Sequence, residues 1–213
     1  MNEMPENNME NTEELPQEAA APRQQKDERN LYEWVQALVY SVLAVMLVFT
    51  FVIRMIGVDG SSMLPTLQHG DRLMVLDAAL CGELQYGDIV VLRKATFYHE
   101  PVVKRVIAVG GQTVDIDFST GRVYVDDALL EEDYINEPTF TDEGLEFPVT
   151  VDEGCIFVMG DNRNRSDDSR NPALGVVDER YVLGKAVFLV FPGRDSVTEE
   201  RVWSRIGIID GVE

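Results

Sequence analysis

Hydrophobic and polar positions divide the chain into three regimes. From Trp34 to Ile53 the run WVQALVYSVLAVMLVFTFVI carries no charge, and it has about the 20 residues that a bilayer core requires of a helix. A buried core helix is the bland alternative, but a domain this small rarely hides a helix that is apolar on every face. A cleaved signal peptide would have a shorter apolar stretch followed by a small-residue cleavage site. Here the run continues into Ile53-Arg54-Met55-Ile56, so the pattern predicts one retained transmembrane helix over 31–56. Residues 1–30 are rich in Glu, Asn, Gln and Pro and nearly free of aromatic and β-branched side chains. That composition does not offset ordering entropy, and it predicts a disordered tail.

Beyond Gly57 the period shortens to that of strands. Arg72 to Leu76, Ile89 to Leu92, Val102 to Val109, Cys155 to Met159 and Lys185 to Phe191 read as β-strands set off by turn signals such as Gly87-Asp88 and Gly110-Gly111. Thr113 to Phe118 and Arg122 to Val125 flank Ser119-Thr120-Gly121 and read as a hairpin. Residues 131–153 are acidic, contain Pro138 and Pro148, and read as a surface excursion. No sustained helical period follows the anchor. The fold expectation is mainly β: a single helix, then a β-sheet or barrel-like domain over 57–213 with a small β subdomain.

Charge narrows the partners. The formal net charge of the 213 residues is −20, which repels phosphate backbones and argues against nucleic-acid binding. Arg23, Lys26 and Arg29 precede the apolar run, against Arg54 soon after it. This bias places the N-terminus in the cytoplasm and the domain on the outer face of the membrane. Tyr32 and Trp34 suit an interface belt. His69 and His99 have no Cys or His neighbours at ligand spacing, so no metal site is read and no cofactor is expected. Cys81 and Cys155 can pair in an exported domain, but nothing in the sequence brings them together.

Candidate chemistry begins at Gly60-Ser61-Ser62-Met63-Leu64-Pro65-Thr66-Leu67. A serine on such a constrained turn acts as a nucleophile only beside a base. The bland reading is a Gly-Ser turn that ends an anchor. Neither His69 nor His99 sits in an obvious strand. Lysine serves as a base where burial leaves it neutral. Of Lys26, Lys94, Lys104 and Lys185, the first lies on the wrong side of the membrane and the second in a polar stretch. Lys104 shares a strand face with Val102 and Val106, which would strip water from its ammonium. A strand-edge lysine that snorkels to water is the alternative, and Lys185 in Gly184-Lys185-Ala186-Val187 is a competitor. The loop from Gly160 to Arg170 is dense in acids, bases and hydroxyls, as functional loops on rigid sheets often are. Within it Asp168 and Arg170 suit an ion pair, and Ser166 suits a hydrogen bond to an amine. A solvated hairpin loop stays open as the other reading.

Together these stretches resemble type I signal peptidase, a membrane-anchored serine protease with a Ser/Lys dyad. The matching boxes are Ser62-Met63-Leu64-Pro65-Thr66-Leu67, Gly70-Asp71-Arg72 with Gly87-Asp88-Ile89-Val90, Lys104-Arg105-Val106-Ile107 with Gly110-Gly111, and Gly160-Asp161-Asn162-Arg163 continuing to Ser166, Asp168, Ser169 and Arg170. Each box is weak alone; four in this order behind one anchor are specific. The resemblance implies Ser62 as nucleophile over Ser61, Lys104 as base over Lys185, Ser166 as the lysine's support, and Asp168 and Arg170 as a structural pair. Where some members carry an oxyanion-hole serine this chain has Gly60, implying a hole built mainly from backbone N–H groups, including that of Ser62. Asn164 and Arg165 depart from the family's more usual pair.

The resemblance further implies signal peptides of exported precursors as substrates. They would be bound as an extended strand and cut after small residues in Ala-X-Ala-like sites, with Ile56, Val58 and Val103 as pocket walls and the bilayer as a second partner. A monomer is favoured. A self-cleaving Ser/Lys repressor would need a DNA-binding head in place of the tail and anchor. A tethered β-domain that binds without cutting would be expected to lose the nucleophile or the base.

Overall fold

The structure, a computed structural model, describes residues 23–97, 100–195, 198–209 and 211, with side chains from Asn30 onward. It falls into two compact units, one ending at Ala44 and one beginning at Val45. Helix α1 is Arg23–Phe51. Its segment Asn30–Phe51, 22 residues with a mean hydropathy of 2.0, is long and apolar enough to cross a membrane, and none of it is buried. The helix therefore starts within the stretch expected to be disordered. Arg, Gln, Lys and Glu are good helix formers, and lengthening a helix is far easier than nucleating one. The remainder of the expected tail, residues 1–22, lies outside the described residues, as does His99.

The end of the anchor also differs from expectation. Helix α1 stops at Phe51, and Ile53–Gly57 forms strand β1, paired antiparallel with β2, Arg72–Asp77, from Ile53↔Leu76 to Gly57↔Arg72. Residues 53–56 thus belong to the sheet. Apolar runs rich in β-branched residues suit either a helix or a strand, and the partner strand decides. Arg54 closes the pairing by donating to Asp77 at 2.7 Å.

Six of the remaining strands fall on runs read from the sequence; four short ones, of two residues each, do not. The remaining strands are β3 (Ile89–Leu92), β4 (Val102–Val109), β5 (Thr113–Asp117), β6 (Arg122–Val125), β7 (Ala128–Leu129), β8 (Val149–Thr150), β9 (Cys155–Met159), β10 (Val177–Asp178), β11 (Val182–Phe191) and β12 (Gly207–Ile208). One antiparallel sheet runs β1-β2-β11-β3-β4-β9-β10, with β12 also on β11. A smaller one runs β7-β6-β5-β8 and contains the expected hairpin, in register from Val114↔Val125 to Asp117↔Arg122. The protein is mainly β, as expected.

Strand β4 is central, with β3 on one side and β9 on the other. Its interior residues are buried on both faces. Val103 joins a cluster with Val58, Met63, Leu67 and Leu73, while Val106 joins another with Val90, Leu92 and Val158. Ile107 and Ala108 pack with Phe157 of β9 against Val114 and Val123 of the smaller sheet.

The stretch 131–153 is more than the surface excursion its composition suggested. Thr139 is fully buried, and Glu132 and Glu143 reach the buried guanidinium groups of Arg163 and Arg170. A carboxylate in an acidic loop has reason to turn inward where a desolvated guanidinium needs a counter-charge.

Candidate active site

The turn that carries Ser62 hangs between β1 and β2. Its base is closed by Val58 N–H donating to Asp71 O at 2.8 Å and Gly70 N–H donating to Val58 O at 2.9 Å. Met63 and Leu67 point into the core and are fully buried, so the turn is nailed down just after the serine. Ser61 is exposed and Ser62 half-buried. The loop after β9 grips the turn from the other side. Asn162 N–H donates to Ser62 O at 2.9 Å, and its Nδ2 donates to Ser61 O at 3.0 Å. Gly160 sits where a Cβ would lie 2.5 Å from Ser62 O and 2.3 Å from Ser166 Oγ, so only glycine permits this approach.

Strand β4 delivers the amine. Lys104 Nζ lies 2.9 Å from Ser62 Oγ, and Lys104 is only 3% exposed. Burial pushes the Lys104 amine below the usual lysine range. Asp168, Asp167 and Glu143 act in the opposite sense, and Arg170 adds to the lowering. The other described lysines have different partners. Lys185 pairs with Asp88 at 2.5 Å, and Lys94 donates to Leu174 O. His69 is also occupied elsewhere: its Nδ1 accepts from Gly60 N–H at 3.3 Å and lies 3.0 Å from Asp59.

Asp168 and Arg170 form the expected ion pair. Arg170 Nε donates to Asp168 Oδ1 at 2.8 Å and Nη2 to Oδ2 at 2.9 Å. Burial alone would raise the Asp168 carboxyl, but the Arg170 bonds and charge hold it below the usual carboxylate range. Arg170 also donates to the carbonyls of Arg163, Ser166 and Thr141, and Asp168 accepts from Gly160 N–H. The pair thereby sets the shape of the whole 160–170 loop.

Ser166 departs from expectation. It is buried, but its Oγ has no hydrogen-bond partner among the described residues, so the expected bond to the Lys104 amine is not formed. The Arg170 bond to the Ser166 carbonyl fixes that residue's backbone and leaves the hydroxyl unclaimed. Gly60 departs as well. Its N–H is engaged by His69, so it does not point freely at an oxyanion. The Ser62 N–H, by contrast, makes no hydrogen bond among the described residues.

A cleft of about 460 Å³ opens over the Ser62–Lys104 pair. It is lined by residues 57–63 and 100–104 together with Arg165 and Asp167. Val58 and Val103 line it, as expected. Ile56 does not; it packs against the core cluster beneath. Ile56 and Val58 are two apart on an extended chain and share a face; both pack into that cluster, and of the two only Val58, nearer the serine, also reaches the cleft.

Several residues inside the quoted boxes have roles that spacing did not reveal. Arg105 makes a buried two-pronged pair with Asp161, at 2.8 and 2.7 Å, and Asp161 also accepts from Thr66 Oγ1 at 2.6 Å. The Arg105 guanidinium stacks on Tyr134. Asp71 accepts from Arg205 at 2.7 Å and from Gly193 N–H at 2.6 Å, tying the C-terminal segment to the base of the nucleophile turn. Asn164, which departs from the family pattern, accepts from the N–H groups of Phe140 and Thr141. Buried charged residues in a motif were the available signal, since such groups persist only when paired. Cys81 and Cys155 are both free thiols. Among the described residues no three His, Cys, Asp or Glu side chains are gathered as metal ligands.

Residues 31–191 match the family described as signal peptidase, peptidase S26. The chain belongs to this family. It is 38% identical to signal peptidase I of Bacillus licheniformis over 174 residues, covering 76% of this chain and 90% of that protein. It is 39% identical to signal peptidase I T of Bacillus subtilis (strain 168) over 176 residues, 78% of this chain and 89% of the relative. A crystal structure of a signal peptidase I from Enterococcus faecalis V583 covers 48% of this chain and 96% of its own, at 37% identity and a TM-score of 0.40. Family membership makes the chain a peptidase, and the Ser62–Lys104 pair lies at the bottom of its cleft.

Proposed function

We propose that this S26 peptidase is a membrane-anchored endopeptidase that removes signal peptides from exported precursors, with Ser62 as nucleophile and neutral Lys104 as general base. The observation that carries this reading is the contact of 2.9 Å between Lys104 Nζ and Ser62 Oγ, with the amine buried. A buried amine favours its neutral form, and only that form has a lone pair to accept a proton.

Lys104 takes the Ser62 proton as Oγ attacks the carbonyl carbon of the scissile bond. The oxyanion that forms meets the Ser62 N–H, which makes no hydrogen bond among the described residues. Lys104 then returns the proton to the leaving amine, and the mature chain departs. The same amine activates water against the acyl-enzyme ester. The substrate lies in the cleft as an extended segment between the backbones of 57–60 and 101–104, adding a strand to the sheet edge. Val58 and Val103 make shallow apolar walls that suit small residues before the cut.

Incubating the purified protein in detergent with a precursor that carries an Ala-X-Ala site tests this reading. The new N-terminus should follow that site directly. Ser62→Ala should abolish the product while Ser61→Ala retains activity, because Ser61 is exposed and only Ser62 faces the amine. Full cleavage by Ser62→Ala, or cleavage at unrelated sites, would overturn it.

A further inference from the structure

The residues behind Lys104 carry an unbalanced charge. Arg170 is shared by two carboxylates: Asp168 through Nε and Nη2, and Glu143, whose Oε1 lies 3.0 Å from Nη2. Glu143 Oε2 also accepts from Asp168 N–H at 3.2 Å. Asp168 and Arg170 alone would be neutral. Two further carboxylates make the balance negative: Asp167, which lines the cleft, and Glu143, which lies in the 131–153 stretch outside all the family boxes. Leu145 N–H donates to Arg170 O at 3.0 Å, so the backbone beside Glu143 is fixed to the same loop.

We propose that Glu143 is a positioning residue that tunes the protonation of Lys104: its carboxylate, seated on the Asp168–Arg170 pair, favours the ammonium and so shifts the acid edge of activity. This inference rests on the reading of Ser62 and Lys104 as a dyad. The charged groups that act on Lys104 are Asp168, Asp167, Glu143 and Arg170; those that act on Glu143 are Asp168, Arg170 and Asp167.

Two carboxylates compete for one guanidinium, and their environments push them apart. Asp168 stays low. Burial first, and then the Asp168 charge, push Glu143 up to about 7, with Arg170 opposing. Glu143 therefore loses its proton in the neutral range. Each time it does so, the charge around Lys104 becomes more negative and the amine holds its own proton more tightly. The two titrations oppose each other, which spreads the rise of activity over a wider pH range than a single group would.

The test uses the full chain in detergent and two readouts. The first is the pH dependence of kcat/KM on a precursor for wild type, Glu143→Gln and Glu143→Asp. Glu143→Gln should move the midpoint of the acid limb down by about 0.5–1 unit, the scale of a charge–charge interaction across partly buried protein. Glu143→Asp, which keeps the charge, should stay near wild type. A purely structural role would lower the rate at every pH and leave the midpoint in place, and that result would overturn the proposal. The second readout is the titration of the Lys104 Cε chemical shift in Ser62→Ala protein, with and without Glu143→Gln. It does not depend on catalysis. A Lys104 titration that fails to move sinks the inference even if the dyad stands. One that moves while Lys104→Met still cleaves precursor sinks the dyad instead.

Discussion

At the scale of single residues, Lys104 carries the largest consequence. It is almost completely buried beside Ser62, and its amine is held below the ordinary lysine value of about 10.4. Activity should therefore rise with pH as Lys104 loses its proton. Lys104→Arg should be inactive although it keeps the charge, because a guanidinium does not deprotonate. Lys104→Met should be inactive too, yet more stable than wild type at neutral pH. The sign follows from linkage. Between the depressed folded value and the unfolded one, the unfolded chain binds more protons, so wild-type stability is reduced there and recovers as pH rises toward the unfolded value. Methionine removes that dependence. Each kcal/mol regained raises Tm by about 2–4 °C for a domain of this size. A calorimetric scan of both proteins across pH 6–10 checks this; a Lys104→Met protein that melts lower throughout would show the amine to be a net stabiliser.

At the scale of elements, the site is a contact between two loops from opposite ends of the large sheet. The nucleophile turn comes from between β1 and β2, and the 160–170 loop follows β9. They meet at Gly160 and Asn162, where Asn162 bonds both serine carbonyls and a Cβ on Gly160 would strike Ser62 O and Ser166 Oγ. Gly160→Ala should push the turn away from β4 and lengthen the approach of Ser62 to Lys104. A misplacement of about 1 Å can cost on the order of 100-fold in rate. The expected outcome is a kcat lowered by about that factor with a smaller change in Tm, because Met63 and Leu67 still anchor the turn. Single-turnover cleavage and a thermal melt decide between this and general unfolding. An unchanged kcat would mean the loops yield without moving the serine.

At the scale of the whole molecule, residues 34–51 of helix α1 carry no charge within a strongly acidic chain whose net charge is −20. The basic residues Arg23, Lys26 and Arg29 before that segment support the proposed orientation, N-terminus in and domain out. Protease added to spheroplasts should digest the domain after Gly57 and leave the tail before Leu31 protected. The reverse pattern would place the cleft on the cytoplasmic side and remove exported precursors from its reach.

The sequence by itself determined the local features of this protein. The apolar segment and the main strands were legible, because period and charge-free length are properties of neighbouring residues. So were the four boxes, because their spacing is linear. The short strands β7, β8, β10 and β12 were not, since so few residues carry little periodicity of their own and depend on the partner strand. The same reason applies at Ile53–Gly57, whose apolar run continues the helix until β2 pairs with it. In the site, the family boxes implied which lysine serves the serine, but only the tertiary structure brings the two into contact. Lys104 and Lys185 have similar neighbours in sequence, yet one lies against Ser62, 42 residues away, and the other pairs with Asp88. It also left the Ser166 hydroxyl without a hydrogen-bond partner among the described residues and brought Glu143 onto Arg170. Those outcomes depend on which desolvated charge finds which counter-charge across the fold, and no linear pattern encodes that.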